Sequence, residues 1–181
     1  MMIRFAILLM FSIGYNYCYA QLANWLPVGD IATGVQVKMP YSPTYENQDV
    51  LDGQRLVSLD IFFTNYKNVK LYFESQPVNT SAKKAIQNSI QLIALQNQGN
   101  PGKRQTLKKF GQQYYYIETP LASGELIRSV LFVYELRLFH IYAKGSISDV
   151  YDDEANIYLN SWTIPTAVSY THLTLPTTPY V

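Results

Sequence analysis

Residues 103–144 carry four segments of β type in succession, and nothing between them is long enough to bring the chain back across a sheet. The candidates are residues 103–110, 112–119, 125–134 and 136–144, separated by Gly111, by the stretch from Pro120 to Gly124, and by a reversal near Glu135. Parallel neighbours need a crossover of about a dozen residues, so these strands are expected to pair antiparallel. No Gly, Asn or Pro marks the reversal at Glu135, and one long bent strand fits that pattern as well. Upstream, residues 34–39 (GVQVKM) alternate Val35, Val37 and Met39 with Gln36 and Lys38, which predicts a half-buried strand stopped by Pro40. Residues 56–64 and 69–75 read as a hairpin joined through 65–68. Residues 25–33 read as an entry segment. Residues 41–55 hold Pro43, Asn47, Asp49, Asp52 and Gly53 with little periodicity and are expected to be a loop, with a tight turn at Asp52-Gly53.

Two amphipathic stretches flank the run of strands. Thr80 or Ser81 can cap a helix over residues 82–96, in which Ala82, Ile86, Ile90, Ile93 and Asn97 share one face while Lys83, Lys84, Gln87 and Gln91 lie elsewhere. Gly99-Asn100-Pro101-Gly102 ends it. A second helix is expected over residues 149–162, with Tyr151, Ala155, Tyr158, Leu159 and Trp162 as its apolar stripe. The expected fold class is α+β: a mostly antiparallel sheet of about six or seven strands, packed by two main helices at residues 82–96 and 149–162.

The ends of the chain read differently from its middle. Residues 1–20 have the layout of a secretory signal: Arg4 first, an apolar run over residues 5–13, then Cys18 and Ala20 as small residues before a cut at Gln21. That run is about half the roughly 20 residues a spanning helix needs, so a periplasmic or secreted protein is favoured over a retained anchor or lipidation at Cys18. Residues 168–181 (VSYTHLTLPTTPYV) have no apolar periodicity, and residues 168–177 match one reading frame of a transposase sequencing adapter; this tail is set aside as artefactual. One domain is left, residues 21–167.

This domain contains no cysteine, because Cys18 is the only one in the chain. Intramolecular disulfides, a thiolate nucleophile and cysteine-based zinc sites are therefore excluded from it. Of 14 basic residues Arg4 belongs to the signal, and all 13 acids lie between residues 21 and 167, so the domain balances at 13 against 13. A neutral domain lacks the overall field that draws proteins onto nucleic acid, and no such partner is expected.

Candidate chemistry is sparse. His140 is the only histidine of residues 21–167 and lies in a strand between Phe139 and Ile141, where a hydrogen-bonded structural role is the favoured reading. No serine sits in a nucleophile-elbow pattern. The acids Asp149, Asp152, Asp153 and Glu154 could attract calcium, but acids in the first turns of a helix also answer its dipole. Lys103, Arg104, Lys108 and Lys109 form a basic strand that could meet an anionic partner such as a surface glycan or phospholipid head group, or serve only to guard a sheet edge. Tyr114 and Tyr116 face one side of the next strand and Tyr115 the other; an exposed pair beside the basic strand would make a binding surface.

The early strand running into proline (GVQVKMP), the segment RLFHIYAKG at residues 137–145 and the closing ANIYLNSW at residues 155–162 resemble the PsbP-like superfamily of α/β/α sandwiches. The resemblance implies a fold used chiefly for partner binding and assembly, and it transfers no catalytic residue. The expected function is that of an exported, non-enzymatic domain that uses no cofactor or metal. Its partner would be a protein or envelope component, met through a sheet face or the region of residues 41–55. The alternative is a hydrolase or metal-assisted enzyme built on carboxylates and His140.

Overall fold

In a computed structural model of the chain, the described residues are 25–52, 55–96 and 102–165. The signal-like residues 1–20, the set-aside residues 168–181, Gly53 of the expected turn and Asn97 of the expected helix face lie outside them. Among the described residues nine strands and three helices follow one another as β1 (Trp25–Gly29), β2 (Gln36–Pro40), β3 (Thr44–Asp52), β4 (Arg55–Tyr66), β5 (Val69–Pro77), α1 (Ala82–Gln96), β6 (Arg104–Lys109), β7 (Gln112–Pro120), β8 (Leu126–Tyr134), β9 (Arg137–Gly145), α2 (Ile147–Val150) and α3 (Asp153–Asn160). The main sheet has seven strands in the order β3-β4-β5-β9-β8-β7-β6, every neighbour antiparallel, and β1 pairs with β2 in a separate hairpin. The protein is thus α+β. No described helix is long and apolar enough to cross a membrane.

Successive side chains of a strand point to opposite faces, so the sheet has two sides to bury. On one side Phe73, Phe132, Phe139 and Ile141 form a core with Val35, Val37 and Met39 of the β1–β2 hairpin and with Ala155, Tyr158, Leu159 and Trp162 from the closing segment. On the other, Ile117, Ile127, Leu131 and Leu138 meet Ile86 and Ile93 of α1. Three layers result, with the sheet in the middle.

A buried polar cluster fastens the hairpin. Asp30, at 6% exposure, accepts from Thr33 N, Thr33 Oγ1 and Ser75 Oγ at 2.8, 2.9 and 2.8 Å. Arg137 Nε lies 2.7 Å from Asp30 Oδ2, close enough for an ion pair though not aligned for a hydrogen bond, and its Nη2 donates to Asp60 at 2.9 Å. Burial pushes the Asp30 carboxyl up; the bonds from Ser75 and Thr33 together with Arg137 outweigh it and hold the pKa below its ordinary value.

Three expectations are corrected. Residues 44–52 form β3 rather than a loop. At the edge of the sheet Thr44 through Asp49 are exposed on both faces, so no apolar alternation marks them. The entry segment contains β1, which pairs with β2. The second helix is broken: Ser146 Oγ accepts from Asp149 N to start α2, and Asp152 accepts from Asp153 N to start α3, so residues 151–152 form a joint. The acids there act as caps and partners, Glu154 accepting from Lys67 at 2.5 Å. Tyr151 leaves the stripe and is exposed, with Arg128 over its ring at 4.2 Å and its hydroxyl donating to Glu118.

At the β8–β9 reversal the structure selects the hairpin over the bent strand. Tyr134 pairs with Arg137, and Glu135 and Leu136 take φ of 46° and 59°. Two left-handed residues match the twist of a two-residue hairpin, and neither side chain here favours that conformation.

Candidate functional site

α1 packs on β8 and β9 and leaves the same face of β3, β4 and β5 without a helix. Between them runs a groove of about 590 Å³. Val50, Leu51 and Leu59 line its sheet side, Ser89 and Leu92 its helix side, and Tyr72, Glu74, His140 and Tyr142 contribute to its floor. Leu92 is 53% exposed on the helix side, a high value for an apolar side chain at a groove rim, whereas Leu51 pairs with Leu56 and its side chain leaves the opposite face of β3.

The floor is held by one hydrogen-bonded chain. Glu74 on β5 stands directly opposite His140 on β9. Its Oε2 lies 3.0 Å from His140 Nδ1, and its Oε1 accepts from the Tyr142 hydroxyl at 2.9 Å. A carboxylate can only accept, so His140 donates from Nδ1, and its Nε2 lies 3.1 Å from the Ser129 hydroxyl. The rings of Phe63, Tyr72 and Tyr142 stack in sequence at 5.7 and 4.6 Å, and His140 stacks on Tyr142 at 4.3 Å. Burial raises the Tyr142 phenol far above its ordinary value and Glu74 adds to the shift; Tyr72 is raised by burial and then by Glu74 and Glu46.

Ser129, His140 and Glu74 have the order of an acyl-transfer relay, yet the serine is 0% exposed in the middle of β8. An attacking oxygen must reach its substrate. In this conformation the chain orients His140 and satisfies a buried hydroxyl. The groove is lined by one carboxylate, that of Glu74, and among the described residues no three His, Cys, Asp or Glu side chains are grouped to hold a metal.

The residues singled out from sequence fall on two faces. Tyr114 and Tyr116 are half-buried on the hairpin side: Tyr114 meets Trp162 edge-on at 5.4 Å, while the Tyr116 hydroxyl accepts from Arg128 Nε and donates to Glu118 at 3.4 Å. Burial raises Tyr116, with Arg128 opposing. Lys109 turns the same way, and its Nζ donates to the carbonyls of Asn160 and Trp162 just past α3; burial lowers its pKa. Arg104 and Lys108 register with Ile117 and Gln113 and so lie on the α1 side, where Arg104 covers the Tyr115 ring at 4.3 Å. Lys103 precedes β6 and is exposed. Lys109 therefore shares the face of the tyrosine pair, while Arg104 and Lys108 lie on the opposite one. Glu74, Ser129 and Tyr142 gave no sequence signal, because only the β5–β9 and β8–β9 pairings unite them.

No family model and no curated protein matches the chain. Among solved structures, the solution structure of cyanobacterial PsbP (CyanoP) from Synechocystis sp. PCC 6803 superposes with a TM-score of 0.56 at 12% identity, covering 79% of this chain and 94% of that one. The fold is PsbP-like. A protein of unknown function from Pseudomonas aeruginosa, PA94, also matches, with a TM-score of 0.39 at 12% identity, over 70% of this chain and 86% of that one. The PsbP-like frame accounts for the sheet and its layers, while the groove and its polar chain are argued from this chain's own residues.

Proposed function

We propose that this PsbP-like chain is an exported, non-enzymatic binding domain that holds a protein or other cell-envelope component in the groove between α1 and β3–β5. One observation carries the reading: α1 leaves half of a sheet face open, with a concave apolar wall and a few convergent polar groups, the usual composition of a recognition site. The strand that closes the groove, β3, lies within the region of residues 41–55 expected to make contact. Export rests on the signal-like residues 1–20. The test is affinity capture from an envelope fraction with the wild type and with Ser89→Trp, which fills the groove from α1. A component retained by the wild type and lost by Ser89→Trp supports the reading; equal retention by both overturns it.

The Ser129–His140–Glu74 chain favours hydrolysis as a second reading, which requires β8 to expose its serine. Ester turnover abolished by both Ser129→Ala and His140→Gln would establish it in place of the first.

A further inference from the structure

Charge is distributed very unevenly in this neutral domain. Residues 75–117 contain Lys83, Lys84, Lys103, Arg104, Lys108 and Lys109 and not a single Asp or Glu. The fold gathers part of that run: an open depression of about 690 Å³ lies between α1 and the start of β6, adjoining the groove at Asn88, which lines both. Lys83, Lys84 and Arg104 line it, together with Ser81, Gln87, Asn88, Gln91 and the apolar Ile90. No acid lines it, and all three cations are exposed and form no ion pair among the described residues. Arg104 is held in place by the Tyr115 ring beneath it.

We propose that this basin binds an anionic polysaccharide. Three cations around a concavity without a counter-charge are complementary to a chain bearing repeated carboxylate, sulfate or phosphate groups. The amides of Gln87 and Gln91 and the hydroxyl of Ser81 supply donors and acceptors for sugar hydroxyls. Guarding a sheet edge accounts for Lys108 on β6, but it does not account for Lys83 and Lys84, which belong to a helix. The concave shape also separates a glycan from a lipid bilayer, whose flat surface favours a convex basic face. The inference does not rest on the function proposed for the groove.

Titration of the full chain with polyguluronate, with dextran as neutral control and with phosphatidylglycerol vesicles as a flat anionic surface, tests the proposal by calorimetry and by chemical-shift mapping. Polyguluronate is expected to bind, dextran to give no heat, and raising the salt fourfold to weaken binding by about twentyfold, as three displaced counterions at about 0.7 each imply. Lys83→Ala/Lys84→Ala/Arg104→Ala is expected to lose at least tenfold in affinity with an unchanged thermal midpoint. Lys38→Ala/Lys70→Ala/Lys144→Ala, equal in charge but outside the basin, is expected to stay within about twofold. Equal losses in the two variants, shifts centred away from α1 and β6, or tighter binding to vesicles than to polyguluronate would overturn the proposal.

Discussion

Asp30→Asn is the substitution that most sharply tests how the hairpin layer is fixed to the sheet. The amide keeps the shape and one acceptor oxygen, so the bonds from Thr33 N and Thr33 Oγ1 at 2.8 and 2.9 Å can persist. What is lost is the negative charge 2.7 Å from Arg137 Nε, at a site where the Asp30 side chain is 2% exposed. Removing one partner of a buried ion pair costs about 3–5 kcal/mol. Arg137 keeps Asp60 at 2.9 Å and has 16% exposure of its own, which places this case near the lower end, about 3 kcal/mol. With a urea slope of about 2 kcal/mol/M, the unfolding midpoint should fall by roughly 1.5 M. Because the folded carboxyl titrates below its ordinary 3.8, its contribution is complete above that value and is lost as the pH falls through the folded pKa. The gap between wild type and Asp30→Asn is therefore full at pH 6 and narrows below about pH 4. A gap under about 0.5 kcal/mol, or one that stays constant down to pH 3, would refute the reasoning.

Leu136→Gly relieves a left-handed residue in the β8–β9 turn and is expected to stabilise by about 1 kcal/mol, raising the thermal midpoint by roughly 3 °C in calorimetry. Lys109→Met removes the donor to the Asn160 and Trp162 carbonyls and is expected to cost about 1 kcal/mol in urea unfolding. The Tyr151 phenol is pushed up to about 12 by its hydrogen bond to Glu118, so ring-labelled NMR titration should show Glu118→Gln returning it toward 10. His140→Ala leaves the buried Ser129 hydroxyl without its partner and is expected to destabilise by about 2 kcal/mol, read from the same urea curves.

Much of the fold was legible because the strands and α1 bury one clear set of side chains. Val35, Val37 and Met39 alternate in sequence and are all buried, and Ile86 and Ile93 recur at helical spacing and face the sheet. β3 was illegible because an edge strand solvated on both faces shows no contrast between inside and outside. The break before α3 was hidden because acids that favour a helix start also cap one, and Asp152 does the second while lying where the first was expected. His140 could be noticed as a lone histidine. Its partner Glu74 could not, because 66 residues separate them and their meeting depends on β9 inserting between β5 and β8.

The groove itself is tested most directly by placing a photo-crosslinking phenylalanine at single positions of the protein and exposing cells or envelope fractions to light. Leu92 and Val50, one on each wall of the groove, are the test positions; Leu136, solvent-facing at 74% exposure but on the β8–β9 turn, is the control. The account predicts the same discrete adduct from both groove positions and none from the turn. An adduct pattern that is the same at all three positions, or adducts at Leu136 alone, would contradict it.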